Sequence, residues 1–578
     1  MRWLGEHSGW LLIIDNVDTP DAAVEVEKTL PKLQGGDVII TSRIADWGAE
    51  VQTTELDVLG EQDAAAFLLE RTEQRRKKTD TDTEDASVLV HELGGLALAL
   101  EQAGAYIAKN RFSLSEYRRR CGATREIVLG WYDERLMKYP SSVATTWQAS
   151  ADQLAQPERK LLNILAWLAP EPIPVSLLEG VSVDDADARD ALSALVSWSL
   201  ARFTADGDNF TIHRLVQEIT RQRLSGDEKE STLERALEIL NAKLPSPHWD
   251  REGWQLWGRL APHCGTLLGR LRDHALEPSA TRMMNQLALW FYNRAEYGEA
   301  GPLYQRALAI RKKVLGPKHP RVAQSLNNLA RLYYSQGRYA EAERLSKRAL
   351  AIRKKVLGPE HPRVAESLNN LAVLYGTQSR YAEAERLFKR ALAIRKKVLG
   401  PEHPKVANSL NNLAQLYGKQ GQYAKAEPLA KRALAIREKA LVPEHPDVAN
   451  SLNSLASLCG AQSRYAEAER LSKRALAIRK KVLGPEHPKV ANSLNNLAQL
   501  YGKQGRYAEA EPIYQRALAI REKALGREHP DVAHSLNRLA KLYQAQGEYA
   551  KAEPLYQRAL AIREKALDPE HPDMEGWI

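Results

Sequence analysis

The sequence predicts a mainly α-helical protein in which a short α/β segment and further helices precede a C-terminal α-solenoid. Three observations carry this prediction: a short apolar run that ends in Asp15, a division of charge along the chain, and a His-Pro dipeptide that recurs every 42 residues. The net charge is +9, yet residues 1–278 carry −14 and residues 279–578 carry +23. Such an asymmetry marks a boundary between two parts of different composition.

Composition excludes several classes of protein. With 44% hydrophobic and 27% charged residues the chain has ordinary globular values, which argues against disorder and fibrous folds. No run of 18 apolar residues and no signal peptide is present, so we expect no membrane segment. The three scattered cysteines, Cys121, Cys264 and Cys459, show neither a disulfide nor a metal-ligand spacing, which favours a cytoplasmic location.

The N-terminal segment contains two predicted parallel strands. Residues 10–14 form an apolar run before Asp15, which predicts a buried strand with a carboxylate at its carboxyl end. A carboxylate placed there can hold Mg²⁺ beside a nucleotide phosphate. The second strand ends in Ser42-Arg43, and arginine suits phosphate geometry. Helical patterning then continues to about residue 120 and includes the Gly94-Gly95 turn.

The order of strand-Asp, strand-Ser-Arg and Gly-Leu-Ala-Leu-Ala resembles the NB-ARC class of STAND signalling ATPases. The resemblance implies a partial P-loop NTPase segment followed by a helical domain. It assigns Asp15 to the Walker B position with Mg²⁺, Ser42 and Arg43 to the sensor, and Gly95 to Leu98 to a turn beside the adenine. Ala97 stands where the family normally has proline. ADP or ATP with Mg²⁺ is the implied cofactor of an intact version.

Residues 143–225 continue this resemblance. Helical patterns are followed by a hairpin-like stretch around Gly207 and by Phe210-Thr211-Ile212-His213. This resembles the family's winged-helix domain, which acts as a lid, and the resemblance assigns His213 to the β-phosphate of ADP. The alternative is that His213 is a packed structural residue.

No G-x-x-x-x-G-K-[ST] motif occurs in the sequence, and that loop supplies most of the phosphate contacts in such proteins. We therefore expect half a nucleotide site and no competent NTPase in the chain as given. We also expect the chain to be a fragment that is truncated at both ends, or the product of a decayed gene. No nucleophile elbow, H-E-x-x-H motif or Cys/His metal cluster points to another enzyme class, so no catalytic residue is assigned.

The His-Pro dipeptides divide the C-terminal half into seven units of 42 residues. They begin at His319, His361, His403, His445, His487, His529 and His571. In the unit 405–446, two amphipathic helical patterns flank Gly421, Pro428 is expected in the first turn of the second helix, and the Pro443–Pro446 tract ends that helix. The histidines lie in matching loops, which predicts that they shape the turn and do not converge on a metal.

The apolar pattern of each unit resembles the tetratricopeptide signature in the lengthened form of kinesin light chains. In the unit 405–446 it is carried by Leu410, Leu413, Ala414, Tyr417, Gly421, Tyr423, Ala426 and Ala433. The resemblance implies a superhelix whose first helices line its concave side and bind a protein or peptide.

Asparagines recur at two positions of the first helix, on one face. They are Asn327, Asn369, Asn411, Asn453, Asn495 and Asn537, and, three residues earlier in their units, Asn408, Asn450 and Asn492. An amide both donates and accepts hydrogen bonds, so this ladder is the candidate peptide groove. The alternative is that these side chains bridge neighbouring repeats.

The basic surplus of the array lies in runs such as Arg353-Lys354-Lys355, Arg395-Lys396-Lys397 and Arg479-Lys480-Lys481. We expect these runs to form a solvated outer face near helix C-termini. No aromatic residues interleave with them, so nucleic acid is not favoured as a partner, and an acidic peptide is accommodated more easily.

Two functions remain open from the sequence. The first is a STAND-type switch that senses a protein or peptide through its repeats and forms a homo-oligomer when activated. The second is a binding scaffold with a non-functional NTPase remnant. The predicted divisions are 1–55 (nucleotide-binding segment), 56–139 (helical), 140–225 (winged helix), 226–278 (helical linker), 279–572 (repeats) and 573–578 (truncated tail).

Overall fold

The computed structural model describes residues 7–14, 17, 20–33, 35–42, 47–48, 50–54, 58–120, 151–245, 251–271 and 278–566. The chain forms two compact bodies. The N-terminal body comprises Met1–Leu244 and Arg259–Leu271, and the repeat body comprises Pro245–Gly258 and Arg272–Ile578. Both are mainly helical, as predicted.

The N-terminal body begins with a parallel pair of strands, β1 (Leu11–Ile14) and β2 (Asp37–Ile40), joined through helix α1 (Pro20–Thr29). The strands pair in register, with Leu11 opposite Asp37, so their carboxyl ends meet at one edge. The prediction of a buried strand is wrong for the described residues, since Leu11 is 59% and Ile13 60% exposed. Side chains alternate between the faces of a strand, and the described residues leave one of these faces uncovered.

Three helices follow: α2 (Glu61–Thr72), α3 (Asp82–Leu93) and α4 (Ala97–Asn110); residues 114–120 are also helical. Their apolar faces meet in one core that includes Leu68, Leu89 and Leu100. Leu215 and Ile219, from a later helix, complete this core. The helical patterning predicted up to residue 120 is therefore confirmed.

The next part of the N-terminal body combines short strands with helices. Its elements are α5 (Gln156–Leu165), β3 (Ile173–Pro174), β4 (Ser182–Val183), β5 (Ala186–Asp187), α6 (Ala188–Ser197), β6 (Arg202–Phe203), β7 (Asn209–Thr211), α7 (Arg214–Arg223) and α8 (Gly226–Lys243). The order β3-β7-β6 forms an antiparallel sheet, and Gly207 turns the β6–β7 hairpin with a φ of 70°. Positive φ suits glycine because it has no Cβ. The predicted hairpin is thus present.

After α9 (Arg251–Arg270) the repeat body contains seven helix pairs, one for each predicted unit. The first helices are α10 (Ser279–Asn293), α12 (Pro320–Ser335), α14 (Pro362–Thr377), α16 (Pro404–Lys419), α18 (Pro446–Ala461), α20 (Pro488–Lys503) and α22 (Pro530–Ala545). The second helices are α11 (Tyr297–Leu315), α13 (Tyr339–Leu357), α15 (Tyr381–Leu399), α17 (Tyr423–Ala440), α19 (Tyr465–Leu483), α21 (Tyr507–Leu525) and α23 (Tyr549–Ala566). Small and branched side chains such as Val406, Ala407 and Ala433 are fully buried between the helices of a unit.

The His-Pro dipeptides begin the first helices. In α16, His403 is the N-cap and its Nδ1 accepts the backbone N–H of Lys405 at 3.1 Å, while Pro404 takes the first helical position. A proline is favourable there because its missing N–H would have no intrahelical partner. The same cap occurs at His319, His361, His445, His487 and His529. The histidines therefore shape the turn, as predicted, and His571 lies outside the described residues.

One prediction about the second helices is wrong. Helix α17 begins at Tyr423, so Pro428 lies inside the helix rather than in its first turn. Its ring nitrogen cannot donate to the carbonyl four residues earlier, which removes one intrahelical hydrogen bond.

Three tryptophans of the repeat body pack where the array begins. The ring of Trp254 in α9 lies 4.6 Å from that of Trp290 in α10, and Trp257 stacks on Trp290 at 6.1 Å. None of the helices in the described ranges combines the length and apolar content that crossing a bilayer would require.

Candidate functional site

The first helices of the repeat body line a cavity of about 1120 Å³, which we call the groove. Seven of the nine predicted asparagines line it. These are Asn369, Asn408, Asn411, Asn450, Asn453, Asn492 and Asn495. Asn327 and Asn537 are not among the lining residues. The groove also takes Tyr297 from the first unit and Asp531 from the seventh, so it extends along the array.

The amide nitrogens at one asparagine position bridge neighbouring units. Asn327 Nδ2 donates to Ser367 Oγ at 3.2 Å, and the same bond joins Asn453 to Ser493 and Asn495 to Ser535. This is the geometry that the bridging alternative expects.

The amide oxygens at that position behave differently. In the described structure, Oδ1 has no hydrogen-bond partner although it is buried in Asn327, Asn411, Asn453, Asn495 and Asn537. A buried acceptor without a partner costs roughly 1–3 kcal/mol. The asparagines therefore combine a bridging donor with an unused acceptor, and three of those acceptors belong to groove-lining residues.

The second asparagine position contacts arginine. Asn408, Asn450 and Asn492 accept hydrogen bonds at 2.5–2.6 Å from Nη2 of Arg437, Arg479 and Arg521, respectively. Each arginine belongs to the second helix of the same unit. The pair thus ties the two helices of a unit together at the groove surface.

An arginine of each second helix also binds the next unit. Arg353 Nη1 donates to Ser367 Oγ at 3.0 Å and to the carbonyl of Arg363 at 2.9 Å. The same pair of bonds is made by Arg311, Arg395, Arg437, Arg479 and Arg521. Their serine partners are fully buried, and we call each such contact the arginine clasp.

The clasp corrects the expected outer face. Arg353, Arg395 and Arg479 are only 3–7% exposed, whereas the lysines that follow them are exposed. Consecutive helical residues point about 100° apart, so the arginine faces the neighbouring unit while Lys354 and Lys355 face solvent. The sequence carried a partial signal for this difference: arginine occupies this position in all seven units, while the next position is lysine in four units and glutamate in three.

The arginines of the clasp are buried cations held mainly by neutral oxygens. Burial lowers the pKa of the Arg437 and Arg521 guanidiniums, and it lowers the pKa of Arg479 to about 10. The groove wall therefore presents positive charge beside the carboxylates Asp447 and Asp531.

The predicted nucleotide-site residues are only partly described. Asp15 and Arg43 lie outside the described residues. Ser42 follows β2, and its Oγ donates to the carbonyl of Val17 at 2.5 Å. This bond joins the segments that follow the two parallel strands, so Ser42 stands at the carboxyl edge of the sheet, where the sequence predicts it. Its role as a sensor stays a prediction from the resemblance.

His213 and the Gly94-Gly95 turn are brought together. His213 Nδ1 accepts the N–H of Leu215 at 3.2 Å, and Nε2 faces the Gly94 carbonyl at 3.4 Å. A Cβ on Gly94 would lie 2.4 Å from Nε2. Burial lowers the pKa of His213, which favours the neutral ring. Because Nδ1 accepts an N–H, the neutral ring carries its proton on Nε2. The Gly95 carbonyl accepts from Leu59, and Ala97 begins α4.

This arrangement brings two elements that the resemblance assigns to ADP next to each other. It also gives His213 a helix-capping and packing role, which is the structural alternative. Two of the residues that the resemblance assigns to the nucleotide, Asp15 and Arg43, lie outside the described residues, so nucleotide binding stays a prediction from the resemblance. Nor do they contain three or more His, Cys, Asp or Glu residues grouped to share a metal ion.

Two family models match the chain. The tetratricopeptide repeat model matches residues 279–355, 335–397, 364–439, 447–523 and 496–565. A family described as Domain of unknown function (DUF7779) matches residues 149–229. The latter range holds the sheet β3-β7-β6 and helices α5 to α7.

A curated relative from Hyaloscypha variabilis, a nucleotide-binding leucine-rich repeat (NLR)-like protein, is 32% identical over 342 residues. The match covers 54% of this chain and 34% of the relative, so the chain spans about a third of that protein's length. Together with the repeat model, this relative supports an NB-ARC/STAND-type protein with tetratricopeptide repeats.

Two solved structures are also similar. The TPR-like repeats of a putative kinesin light chain from Podosopora anserina are 35% identical over 36% of this chain and 97% of that chain, with a TM-score of 0.31. A STAND protein with a tetratricopeptide repeat sensor from Pyrococcus horikoshii is 18% identical over 96% of this chain and 80% of that chain, with a TM-score of 0.38. The identification of the matched units as tetratricopeptide repeats rests on the repeat model.

Proposed function

We propose that this chain belongs to a STAND-type signalling or regulatory protein that senses a protein or peptide ligand through its tetratricopeptide groove. Sensing is coupled to an ADP/ATP-binding NB-ARC module, of which this chain carries an incomplete part. The observation that carries the proposal is the set of buried groove atoms without partners, among them Oδ1 of Asn411, Asn453 and Asn495.

These atoms favour a peptide over an apolar ligand. The groove offers unused acceptors on asparagines and unused donors on arginines, since Nε of Arg437 and Arg521 is also buried without a partner. A peptide backbone supplies one N–H and one C=O per residue, which complements both kinds of atom. Pairing them on binding recovers part of the cost that the free groove carries.

The switch requires a ligand that binds the two states of the protein with different affinity. The contact between His213 and the Gly94-Gly95 turn supports a place for the nucleotide module in this switch, because it joins the winged-helix-like segment to the helical segment. Activated molecules would then assemble as homo-oligomers.

The test is the triple substitution Asn411→Ala, Asn453→Ala and Asn495→Ala in the full chain, which removes all three unpaired groove oxygens. The probe is a peptide enriched from a random display library on the wild-type chain. We expect a loss of affinity of at least about tenfold, equivalent to about 1.4 kcal/mol, with an unchanged melting temperature. Asn370→Ala, an exposed first-helix asparagine outside the groove lining, is the matched control. Parallel losses of thermal stability and affinity would favour the bridging alternative.

The second candidate is a binding scaffold with a non-functional NTPase remnant. It is favoured by the structural role of His213, whose Nδ1 accepts the N–H of Leu215 at the start of α7. Calorimetry with ADP separates the two candidates: binding that weakens in His213→Ala supports the switch, while no binding supports the scaffold.

A further inference from the structure

Two first helices of the array have the same sequence. Helices α16 and α20 both read PKVANSLNNLAQLYGK. The first helix after each unit begins with Pro-Asp, which places Asp447 and Asp531 in equivalent positions. Helix α18 lies between them in the chain and differs, with Ser454 where α16 has Asn412.

The groove contacts of these two units are the same. Arg437 donates to Asn408 Oδ1 at 2.5 Å, to the Asp447 carbonyl at 2.9 Å and to Ser451 Oγ at 2.6 Å. Arg521 donates to Asn492 Oδ1 at 2.6 Å, to the Asp531 carbonyl at 2.5 Å and to Ser535 Oγ at 2.8 Å. The two units therefore share these three arginine contacts, which Arg479 also makes in the intervening unit.

The unused atoms of the two units match as well. Arg437 and Asn411 are 4% and 7% exposed, and Arg521 and Asn495 are 3% and 2% exposed. In each pair the arginine Nε and the asparagine Oδ1 are buried without a partner. In the intervening unit only the oxygen of Asn453 remains unpaired in this way, since Arg479 Nε is not among the unpaired atoms.

We propose that the groove contains two equivalent peptide subsites. Subsite A consists of Asn408, Asn411, Arg437 and Asp447, and subsite B of Asn492, Asn495, Arg521 and Asp531; all eight residues line the groove. Each subsite offers one buried donor and one buried acceptor, which complements an amide group of an extended peptide. Because the two subsites consist of the same residue types with the same unpaired atoms, we expect a segment that fits one subsite to fit the other. The natural ligand is therefore a peptide that carries one short motif twice.

The spacing of that motif follows from helix packing. Adjacent first helices are in direct contact, since a Cβ on Gly418 would lie 2.7 Å from Leu458 Cδ2. Packed helices lie about 8–10 Å apart, which puts subsites two units apart at roughly 20 Å. An extended peptide rises about 3.3 Å per residue, so the motif recurs after roughly six residues.

The inference rests on the proposed function, and the experiment separates the two. A peptide is enriched from a random display library on the full-length Asn495→Ala variant, in which subsite A is intact. Its affinity and stoichiometry are then measured by calorimetry on the wild type, on Asn495→Ala and on Asn411→Ala, after all three have shown equal melting temperatures.

We expect one bound peptide on each variant, with dissociation constants within about threefold of each other, and two bound peptides on the wild type. A tandem peptide with both copies should bind the wild type once and at least about tenfold more tightly than the single copy, because the second contact is intramolecular. A single bound peptide on the wild type together with no binding to Asn411→Ala would overturn the equivalence of the subsites. If no peptide is enriched on any form of the chain, the proposed function itself is wrong.

Discussion

The turn inside each repeat unit depends on one residue with a left-handed backbone. Gly421 (φ 72°) and Gly505 (φ 73°) occupy it in two units, but Ser379 (φ 58°) and Ser463 (φ 60°) occupy it in two others. Residues with a Cβ pay roughly 1–2 kcal/mol to adopt this conformation. The serine-containing turns are therefore less favourable than the glycine-containing ones.

Replacing Ser463 by glycine should stabilise the repeat body. The gain in the folded state is partly offset because glycine makes the unfolded chain more flexible, so we expect a net increase of about 0.5–1 kcal/mol in the free energy of unfolding. The reverse change, Gly421→Ser, should lower it by a similar amount. Chemical denaturation of the two variants measures both, and changes of the same sign would contradict the prediction.

His213 should make the stability of helix α7 depend on pH. Burial lowers its folded pKa below the ordinary value near 6.5, so the stabilising contribution is complete above pH 6.5 and is lost as the pH falls toward the folded pKa. The slope is at most about 1.4 kcal/mol per pH unit.

Hydrogen exchange of residues 214–223, corrected for the intrinsic rates, measures this slope between about pH 7 and about pH 5. His213→Asn keeps a side chain that can cap the helix and should flatten the profile. The exposed His91→Gln is the control and should leave the profile unchanged. A steep profile that persists in His213→Asn would show that another group is responsible.

Two elements with the same sequence differ in their surroundings. A Cβ on Gly418 in α16 would lie 2.7 Å from Leu458 Cδ2, whereas a Cβ on Gly502 in α20 would lie 3.6 Å from Leu542 Cδ1. Alanine in a helix interior is favoured over glycine by roughly 0.5–1 kcal/mol. The same substitution should therefore have different effects in the two helices.

Gly502→Ala should raise the free energy of unfolding by about 0.5–1 kcal/mol. For Gly418→Ala, we expect the change in the free energy of unfolding to be about 1 kcal/mol or more less favourable than for Gly502→Ala. The reason is that the buried Leu458 has to shift in a packed core. Denaturation curves of the two variants test the difference. Equal effects would show that the core around Leu458 adapts without cost.

The arginine clasp should couple neighbouring units. Ser451 is fully buried and accepts from Arg437 at 2.6 Å. Ser451→Ala leaves part of a buried guanidinium unpaired, which should cost about 1–3 kcal/mol of stability. Ser457→Ala, on an exposed position of the same helix, should change stability by less than about 0.5 kcal/mol. A neutral Ser451→Ala would show that solvent replaces the hydroxyl group.

At the scale of the whole molecule, the positive charge of the basic runs in the second helices has two locations. The arginines of the clasp are buried, while Lys354, Lys355 and their equivalents are exposed on the second helices. Within these runs, the lysines and not the clasp arginines are exposed to a polyanion in solution. Binding of a polyanion should therefore respond to substitution of the exposed lysines, and binding of a peptide in the groove to substitution of the groove asparagines.

A single-stranded oligonucleotide should bind the chain weakly through the exposed lysines and should lose most of its affinity by roughly 200 mM salt. Lys354→Glu with Lys355→Glu should weaken this binding, and Asn411→Ala combined with Asn495→Ala should not. The groove peptide should show the opposite response to the two sets of variants. Fluorescence anisotropy over a salt series tests this, and an oligonucleotide that depends on Asn411 would favour nucleic acid as the groove ligand.

The sequence by itself determined the elements of the repeat body. The 42-residue period, the two amphipathic helices and the His-Pro helix starts depend on neighbours within about four residues, where helical periodicity and capping act. Because helical periodicity is local, the sequence also indicated which asparagines share a helix face. It misplaced Pro428 by one turn because element boundaries are set by capping details that a periodic pattern leaves open.

The tertiary structure alone decided what these side chains do. Arg353 is buried because it meets Ser367, and Asn327 bridges to that same serine, 40 residues along the chain, only when two units stack. Likewise, Leu11 and Ile13 lie on an exposed face because burial of a strand requires partners from elsewhere in the chain. Hydrogen-bond pairing and burial depend on which elements pack against each other. A local sequence pattern therefore predicts the helix face that carries Asn411. It does not predict the unpaired Oδ1 that makes this face a candidate binding site.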